Sequence, residues 1–227
     1  MSDYYSNFNP TILELIDAEN LTFCEFGCGA GALARAIKER NPLIRYAGVD
    51  IAATELSKAQ HILDYSINLN IDACPFWEDS PQLLASRPAE GFDCIIFGDV
   101  LEHLYSPETA VDQAARWLRP GGSLIASIPN VQHWSVFLQL VRGSWPRQDS
   151  GIFDRTHIRW FALHDMHALF DHPLLSVDAV VPRVFQQEEG REVAEFLEPL
   201  ALYQGVDPKY LSEVMLPLQY VFRVKRM

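Results

Sequence analysis

A doubly wound α/β sheet of mostly parallel strands is the fold that this 227-residue sequence predicts. Three observations carry that expectation. Apolar, strand-like runs alternate with helix-period segments from residue 9 to residue 130, an alternation that builds parallel sheets with right-handed crossovers. FDCIIFGD, residues 92–99, is nearly all apolar, as a strand buried on both faces must be. FGCGAGA, residues 26–32, places three glycines between a strand and a helix, where such a sheet turns tightly beside a ligand.

The elements follow in order. Asn9-Pro10 and TILELIDAEN read as a short capped helix with Ile12, Leu15 and Ile16 on one face. LTFCEF is the first strand, and ALARAIKER the next helix, ended near Asn41-Pro42. YAGVDI is the second strand, and ELSKAQHILDYSI the following helix. ACPFW is expected as the third strand, confined to a sheet edge by Pro75. After FDCIIFGD, PETAVDQAARWL forms a helix that Arg119-Pro120-Gly121-Gly122 stops, and SLIASIPN is the fifth strand. From Val131 to Phe161 the chain is rich in aromatic and charged residues without a clean period. LLSVDAVVPRVF then reads as a strand, REVAEFLEPLALY as a helix and PLQYVFRVKR as the last strand. No repeat or linker divides the chain, so residues 1–227 are expected to form one domain.

Charge narrows the partners. With 18 Lys+Arg against 30 Asp+Glu the net charge is −12, which disfavours neutralising a phosphate backbone. Only Arg142, Arg147, Arg155 and Arg159 form a local basic cluster, so no nucleic-acid partner is expected. No apolar run is long enough to span a membrane, and MSDYYSNFNP lacks the pattern of a signal peptide. The expected location is cytoplasmic. A homodimer stays open. Cys24, Cys28, Cys74 and Cys94 read as small buried hydrophobes, and His164, His167 and His172 as helix surface. No residue set requires a metal.

The glycine loop calls for a ligand. Side chains at Gly27 and Gly29 would block backbone approach, and the helix that follows offers its amino-terminal N–H groups to a negative group. Asp50 ends the second strand, where a carboxylate accepts both hydroxyls of a ribose. Gly27-x-Gly29-x-x-Ala32 also satisfies a dinucleotide pattern, which keeps an NAD(P)-dependent oxidoreductase as the rival reading.

Glu25 separates the two readings. Glu25-Phe26-Gly27-Cys28-Gly29-Ala30-Gly31 resembles the acid-x-G-x-G-x-G signature of class I S-adenosylmethionine-dependent methyltransferases. YAGVD, GFDCIIFGDVLEHL, LRPGGSLIASIPN and PLQYVFRVKR are similar to that family's second, fourth, fifth and antiparallel seventh strands with their turns. The resemblance implies a Rossmann-like seven-stranded sheet, mostly parallel with an antiparallel last strand, and S-adenosyl-L-methionine as cofactor. It further implies that Gly27, Gly29 and Gly31 line the methionine part and that Glu25 orders the loop or reaches the amino group through water. Asp50 would take the ribose diol and Ile51 the adenine face. Glu78 or Asp79 would lie near the adenine amino group, and Asp99 would face the pocket. Relatives often grip the cofactor carboxylate with an arginine in the first helix; none stands near Asn9-Pro10, and Tyr4 or Tyr5 would close over the sulfonium instead.

Residues 128–161 resemble bacterial methyltransferases of cell-surface glycan or secondary-metabolite pathways, implying a small-molecule or sugar acceptor methylated on O or N. A non-catalytic cofactor-binding subunit is the remaining alternative. The segment from His133 to Trp160 follows the fifth strand, so it is expected at the cofactor edge of the sheet as a lid, hinged at Gly143, Pro146 and Gly151. Trp134, Trp145, Phe153 and Trp160 would form its walls, and His133, Asp154, Arg155 and His157 its polar groups. His157 oriented by Asp154 is the first candidate base and His133 the second. Glu102 and His103, on the turn after the fourth strand, are expected to hold that turn together rather than to react.

Overall fold

The computed structural model describes residues 8–227, so Tyr4 and Tyr5 lie outside the described residues. Seven strands form one sheet: β1 (Thr22–Phe26), β2 (Arg45–Asp50), β3 (Tyr65–Asn68), β4 (Phe92–Gly98), β5 (Leu118–Pro129), β6 (Leu175–Val184) and β7 (Pro217–Arg226). Their order is β3-β2-β1-β4-β5-β7-β6, and β7 alone runs against its neighbours. The expected seven-stranded sheet with an antiparallel last strand is therefore present.

Helices cover both faces. In chain order they are α1 (Pro10–Leu15), α2 (Ala32–Arg40), α3 (Ala53–Ala59), α4 (Pro81–Ser86), α5 (Pro107–Trp117), α6 (Trp134–Val141), α7 (Leu163–Leu169), α8 (Gln187–Tyr203) and α9 (Pro208–Met215). Because side chains alternate along a strand, Cys94 and Ile96 of β4 join Ile12, Leu33, Ile37 and Leu56 of α1, α2 and α3. Ile95 and Phe97 point the other way, to Leu83, Ala114 and Met166 of α4, α5 and α7. That two-sided burial is why β4 reads as an unbroken apolar run.

Three readings change. ACPFW is not the third strand: β3 is Tyr65–Asn68, inside the segment expected to continue a helix. α3 ends at Ala59, and its last turn closes with Leu63 N–H donating to the Ala59 carbonyl at 3.1 Å. Pro75 sits between two single 3-10 turns, Ile71–Ala73 and Trp77–Asp79. The Pro-Gly-Gly stretch lies inside β5, which pairs Phe92 with Leu118 and then jumps to Cys94 with Ser123. α4, α6, α7 and α9 have no counterpart among the elements expected. His164 and His167 are exposed on α7, while His172 pairs with Asp112, 3.2 Å away. All four cysteines are free and buried. Among the described residues no helix is long and apolar enough to cross a membrane.

Asp93 fastens the amino ends of three strands. Its Oδ2 accepts from Leu21 N–H at 2.9 Å, Thr22 N–H at 2.8 Å and the Thr22 hydroxyl at 2.8 Å. Its Oδ1 accepts from the Arg119 guanidinium. Removing a partly buried carboxylate strands all of these donors. Asp93→Ala is expected to lower the unfolding free energy by about 2–4 kcal/mol, measured by urea denaturation, with Asp93→Asn losing less.

Candidate active site

At the carboxyl ends of β1 and β2 the backbone makes its own ligand cradle. Gly27 and Cys28 N–H groups donate to the Val49 carbonyl at 2.8 and 3.2 Å, folding the loop onto β2. Gly27 is exposed in the left-handed region at φ 73°, and a Cβ there would come within 2.5 Å of Val100 Cγ2. Asp50 is clamped from both sides: Oδ2 accepts from Gly29 N–H and Oδ1 from Ala52 N–H, each at 2.7 Å. Each carboxylate oxygen keeps a further lone pair for a ligand hydroxyl. Asn68 fixes this strand end by donating to the Asp50 and Ile51 carbonyls at 2.9 and 3.0 Å. Ile51 stands exposed beside it, so its apolar side chain is free for a flat ligand. Gly31 differs from the other two loop glycines: at φ +76° it is buried against α3, where a Cβ would meet Ala59 Cβ at 2.9 Å. Its missing side chain serves helix packing.

Glu25 lies below the loop, not on it. It is buried between β1 and β2, and its Oε2 accepts from the Tyr46 hydroxyl at 2.8 Å. Burial, with Asp50 adding repulsion, pushes its carboxyl up to about 8 against the pull of the Tyr46 bond. It acts here as a strand tie. Glu78 is drawn away from the cradle, since its Oε1 accepts from Trp117 Nε1–H at 3.0 Å. Trp117 directly precedes Leu118, which pairs with Phe92 at the amino end of β4. Asp79 is exposed on the same turn. The acid that follows β3 is Asp72, whose Oδ1 accepts from Tyr105 N–H at 3.0 Å in the loop after β4. Sequence reading passed over it because β3 was placed eight residues too late.

The turn after β4 carries the second half of the site. Asp99 adopts φ 54°, unusual for a residue with a side chain. Its Oδ1 accepts from the Ser127 hydroxyl at 2.8 Å and Gln219 Nε2–H at 2.9 Å, which tie it to β5 and β7. Gln219 Oε1 in turn accepts from Arg183 of β6 at 2.6 Å and from Asn9, the cap of α1, at 3.4 Å. Burial raises the Asp99 carboxyl, with the Ser127 bond and the Arg183 charge opposing.

Three residues on, the Glu102 carbonyl accepts from Ile158 and Arg159 N–H groups at 3.1 and 3.0 Å. The stretch before β6 is thereby docked on the turn. The Glu102 carboxylate is 1% exposed, and neither of its oxygens has a hydrogen-bond partner. His157 Nε2 stands 3.8 Å from Glu102 Oε1, and the His103 and His157 rings meet edge to face at 4.7 Å.

The expected His157–Asp154 pair does not form. His157 Nδ1 faces the Ile152 carbonyl at 3.1 Å, while Asp154 Oδ1 accepts from Thr156 N–H at 2.8 Å and the Thr156 hydroxyl at 2.6 Å. The carboxylate that faces His157 is Glu102. His133 caps α6, with Nδ1 at 2.8 Å from the Ser135 hydroxyl, and burial pushes it down to about 4. Trp145, Phe153 and Trp160 pack edge to face as one cluster, with centroids 5.1 and 5.4 Å apart. Trp134 packs elsewhere, against Gly190 of α8. Arg155 pairs with exposed Asp149 at 2.6 Å.

A family model described as "Methyltransferase domain" matches residues 4–173. The chain belongs to the class I S-adenosylmethionine-dependent methyltransferases. The methyltransferase is 28% identical over 137 residues to a "Ubiquinone biosynthesis O-methyltransferase" of Paracidovorax citrulli (strain AAC00-1), covering 59% of this chain and 56% of that protein. It is 30% identical over 113 residues to the protein of that name from Idiomarina loihiensis, covering 48% of this chain and 44% of the other. The match thus spans about half the length of these relatives. Among solved structures, a SAM-dependent methyltransferase from Archaeoglobus fulgidus superposes with a TM-score of 0.59 at 14% identity, over 92% of this chain and 87% of that one. A complex between the Haloferax volcanii Trm112 methyltransferase activator and a methyltransferase gives 0.59 at 15% identity, over 100% of this chain and 91% of that one. The oxidoreductase reading falls with the family match.

The cradle fits the family's cofactor S-adenosylmethionine, because Gly27 leaves open backbone beside an Asp50 carboxylate whose orientation is fixed. Glu25 supplies a test of how this methyltransferase responds to pH. Its folded value near 8, against an ordinary 4.5, means that the folded state keeps a proton the unfolded chain has released. This group's contribution to stability is full below the unfolded value and is lost as pH rises through the folded one. Glu25→Gln keeps an acceptor for Tyr46 and cannot titrate. The variant's stability relative to the parent is expected to rise by up to about 4 kcal/mol between about pH 5 and pH 8.5. Thermal and urea unfolding of the cofactor-free proteins measure it; a flat difference contradicts the shift.

Proposed function

We propose that this methyltransferase moves a methyl group to a hydroxyl oxygen of a small-molecule or sugar acceptor, bound between the turn after β4 and residues 131–161. The observation that carries the reading is the pairing of the two half-sites on one sheet edge, the Asp50 cradle after β2 and the Asp99–His103 turn after β4. Ligands of such sheets bind where strand order reverses, and here β1 lies between β2 and β4. The relatives named as O-methyltransferases favour oxygen over nitrogen.

Within this reading Asp50 holds the ribose diol, Ile51 the adenine face, and Asp72 replaces Glu78 and Asp79 as the acid nearest the base. When bound, S-adenosylmethionine supplies an electrophilic methyl group on a sulfonium. The chain's own task is to hold the acceptor oxygen in line with it and to keep water out. The Trp145, Phe153 and Trp160 cluster provides the apolar wall. Glu102, His103 and His157 provide the polar end, and His103 is its least buried member. Asp154 and His133 shape the segment by capping Thr156 and α6.

Calorimetry is expected to detect S-adenosylhomocysteine and no NADH. Asp50→Ala removes a charged acceptor and should raise the dissociation constant by about 10–100-fold. His157→Ala is expected to cut turnover by at least about tenfold at unchanged cofactor affinity, read in a radiolabel transfer assay against a panel of hydroxylated acceptors. Cofactor binding with no transfer to any acceptor supports the non-catalytic alternative, and wild-type turnover in His157→Ala removes the acceptor-end assignment.

A further inference from the structure

The Glu102 carboxylate poses a chemical problem that the methyltransferase reading leaves unsolved. Both oxygens are shut away from water and neither receives a donor, an arrangement that is costly for a carboxylate unless something positive meets it. Neither imidazole beside it comes within hydrogen-bond distance of its oxygens. A carbonyl oxygen can only accept, so the His103 Nδ1 contact with the Thr156 carbonyl at 3.2 Å makes that nitrogen the N–H. The His157 Nδ1 contact with the Ile152 carbonyl at 3.1 Å does the same. With Nδ1 committed to a carbonyl in each ring, Nε2 is the nitrogen available to a ligand. Burial, with the carboxyls of Asp99 and Asp154 adding to it, holds the Glu102 carboxyl well above the usual carboxylate range, and no cation within the protein offsets this. The arginines nearby are engaged elsewhere: Arg159 donates to the Tyr105 carbonyl and Arg183 to Gln219.

We propose that Glu102, His103 and His157 form a binding site for one divalent first-row transition cation at the acceptor end of the cleft. One donor atom from each residue lies within 4.8 Å of the other two. The 3.8 Å between His157 Nε2 and Glu102 Oε1 is too long for a hydrogen bond. It matches two ligands of one ion, which at bonds of about 2.0–2.2 Å stand roughly 3–4 Å apart. Carbonyl-bonded Nδ1 atoms are the usual second layer around metal-bound histidines, because they fix the tautomer and aim Nε2. Two imidazoles and one carboxylate suit zinc, manganese, iron or cobalt, whereas calcium and magnesium prefer all-oxygen sets. Three protein ligands leave coordination positions open. Resting on the proposed O-methylation, an acceptor hydroxyl held at the open position would have its pKa lowered and would lose its proton to solvent water, and its oxygen would take the methyl carbon as the sulfonium leaves as the neutral thioether, without a protein base. The site revises the sequence expectation of no metal.

The test begins without cofactor or acceptor, so that it stands apart from the transfer reaction. Chelator-stripped protein is titrated calorimetrically with manganese(II) and with zinc(II) chloride. One equivalent of at least one of them is expected to bind. Glu102→Gln and His103→Ala should each weaken that binding by at least about tenfold, with cooperative unfolding and S-adenosylhomocysteine affinity within about twofold of the parent. A second measurement needs no variant: manganese(II) added to the wild-type protein should broaden the ring resonances of His103 and His157 ahead of those of His61, His164 and His172. No stoichiometric binding of either ion, undiminished binding in both variants, or broadening confined to the other histidines overturns the proposal. Binding without methyl transfer to any acceptor leaves the cation site standing and counts against the O-methylation reading alone.

Discussion

The Glu102 carbonyl is the hinge pin of the turn after β4. By accepting from two successive N–H groups, Ile158 and Arg159, it sets the register between the turn after β4 and the long segment that precedes α7. The Thr156 contact with His103 and the Arg159 contact with the Tyr105 carbonyl repeat that join on either side. Backbone bonds of this sort are indifferent to side-chain identity, so the segment's aromatic residues can vary while its docking persists. The same residue faces inward with a carboxyl group that no protein donor reaches, which couples the architecture of the turn to its chemistry.

The cradle and the turn are built on opposite principles. At Asp50 the carboxylate is oriented before a ligand arrives: strand end, loop and α3 entry converge on it with one short N–H bond to each oxygen. Such a site is preorganised, and ligand binding demands little rearrangement. At Asp99 the backbone is strained, and its carboxyl group and that of Glu102 disfavour one another's charge. Strain of this kind persists only where surrounding structure enforces it, and here Ser127, Gln219 and the docked segment do so.

The legible parts of the sequence were those in which burial leaves a strong imprint. β1, β2 and β4 carry apolar runs that mark them as strands, whereas β5 begins five residues before the expected Ser123 because Pro120-Gly121-Gly122 lies within it. β3 was missed because Tyr65–Asn68 buries only Ile67, while the more apolar Cys74, Phe76 and Trp77 attract a strand assignment that Pro75 and two 3-10 turns defeat. That one shift hid Asp72 and promoted Glu78. Gly27 and Asp50 lie at the carboxyl ends of β1 and β2, whereas Gly31 packs against α3, because identical glycines in a row do not reveal which faces a helix. The spacing of Asp154 and His157 suggested a pair, but three residues bring side chains together on a helix, not in the turn found here. The isolation of the Glu102 carboxylate had no sequence signal at all. Lack of a partner is a property of three dimensions.

The position of β7 has a consequence for how the molecule assembles. It inserts between β5 and β6, and its Gln219 closes contacts with Asp99 and Asn9 across 120 and 210 residues of chain. Contacts of such separation carry a large loop-closure entropy and tend to slow folding. The strained turn has Ser127 early in the chain order but gains its second side-chain donor only when the final strand is in place. Completion of the Asp99 turn is therefore tied to completion of the fold, whereas the bonds that clamp Asp50 join only residues 29 to 52.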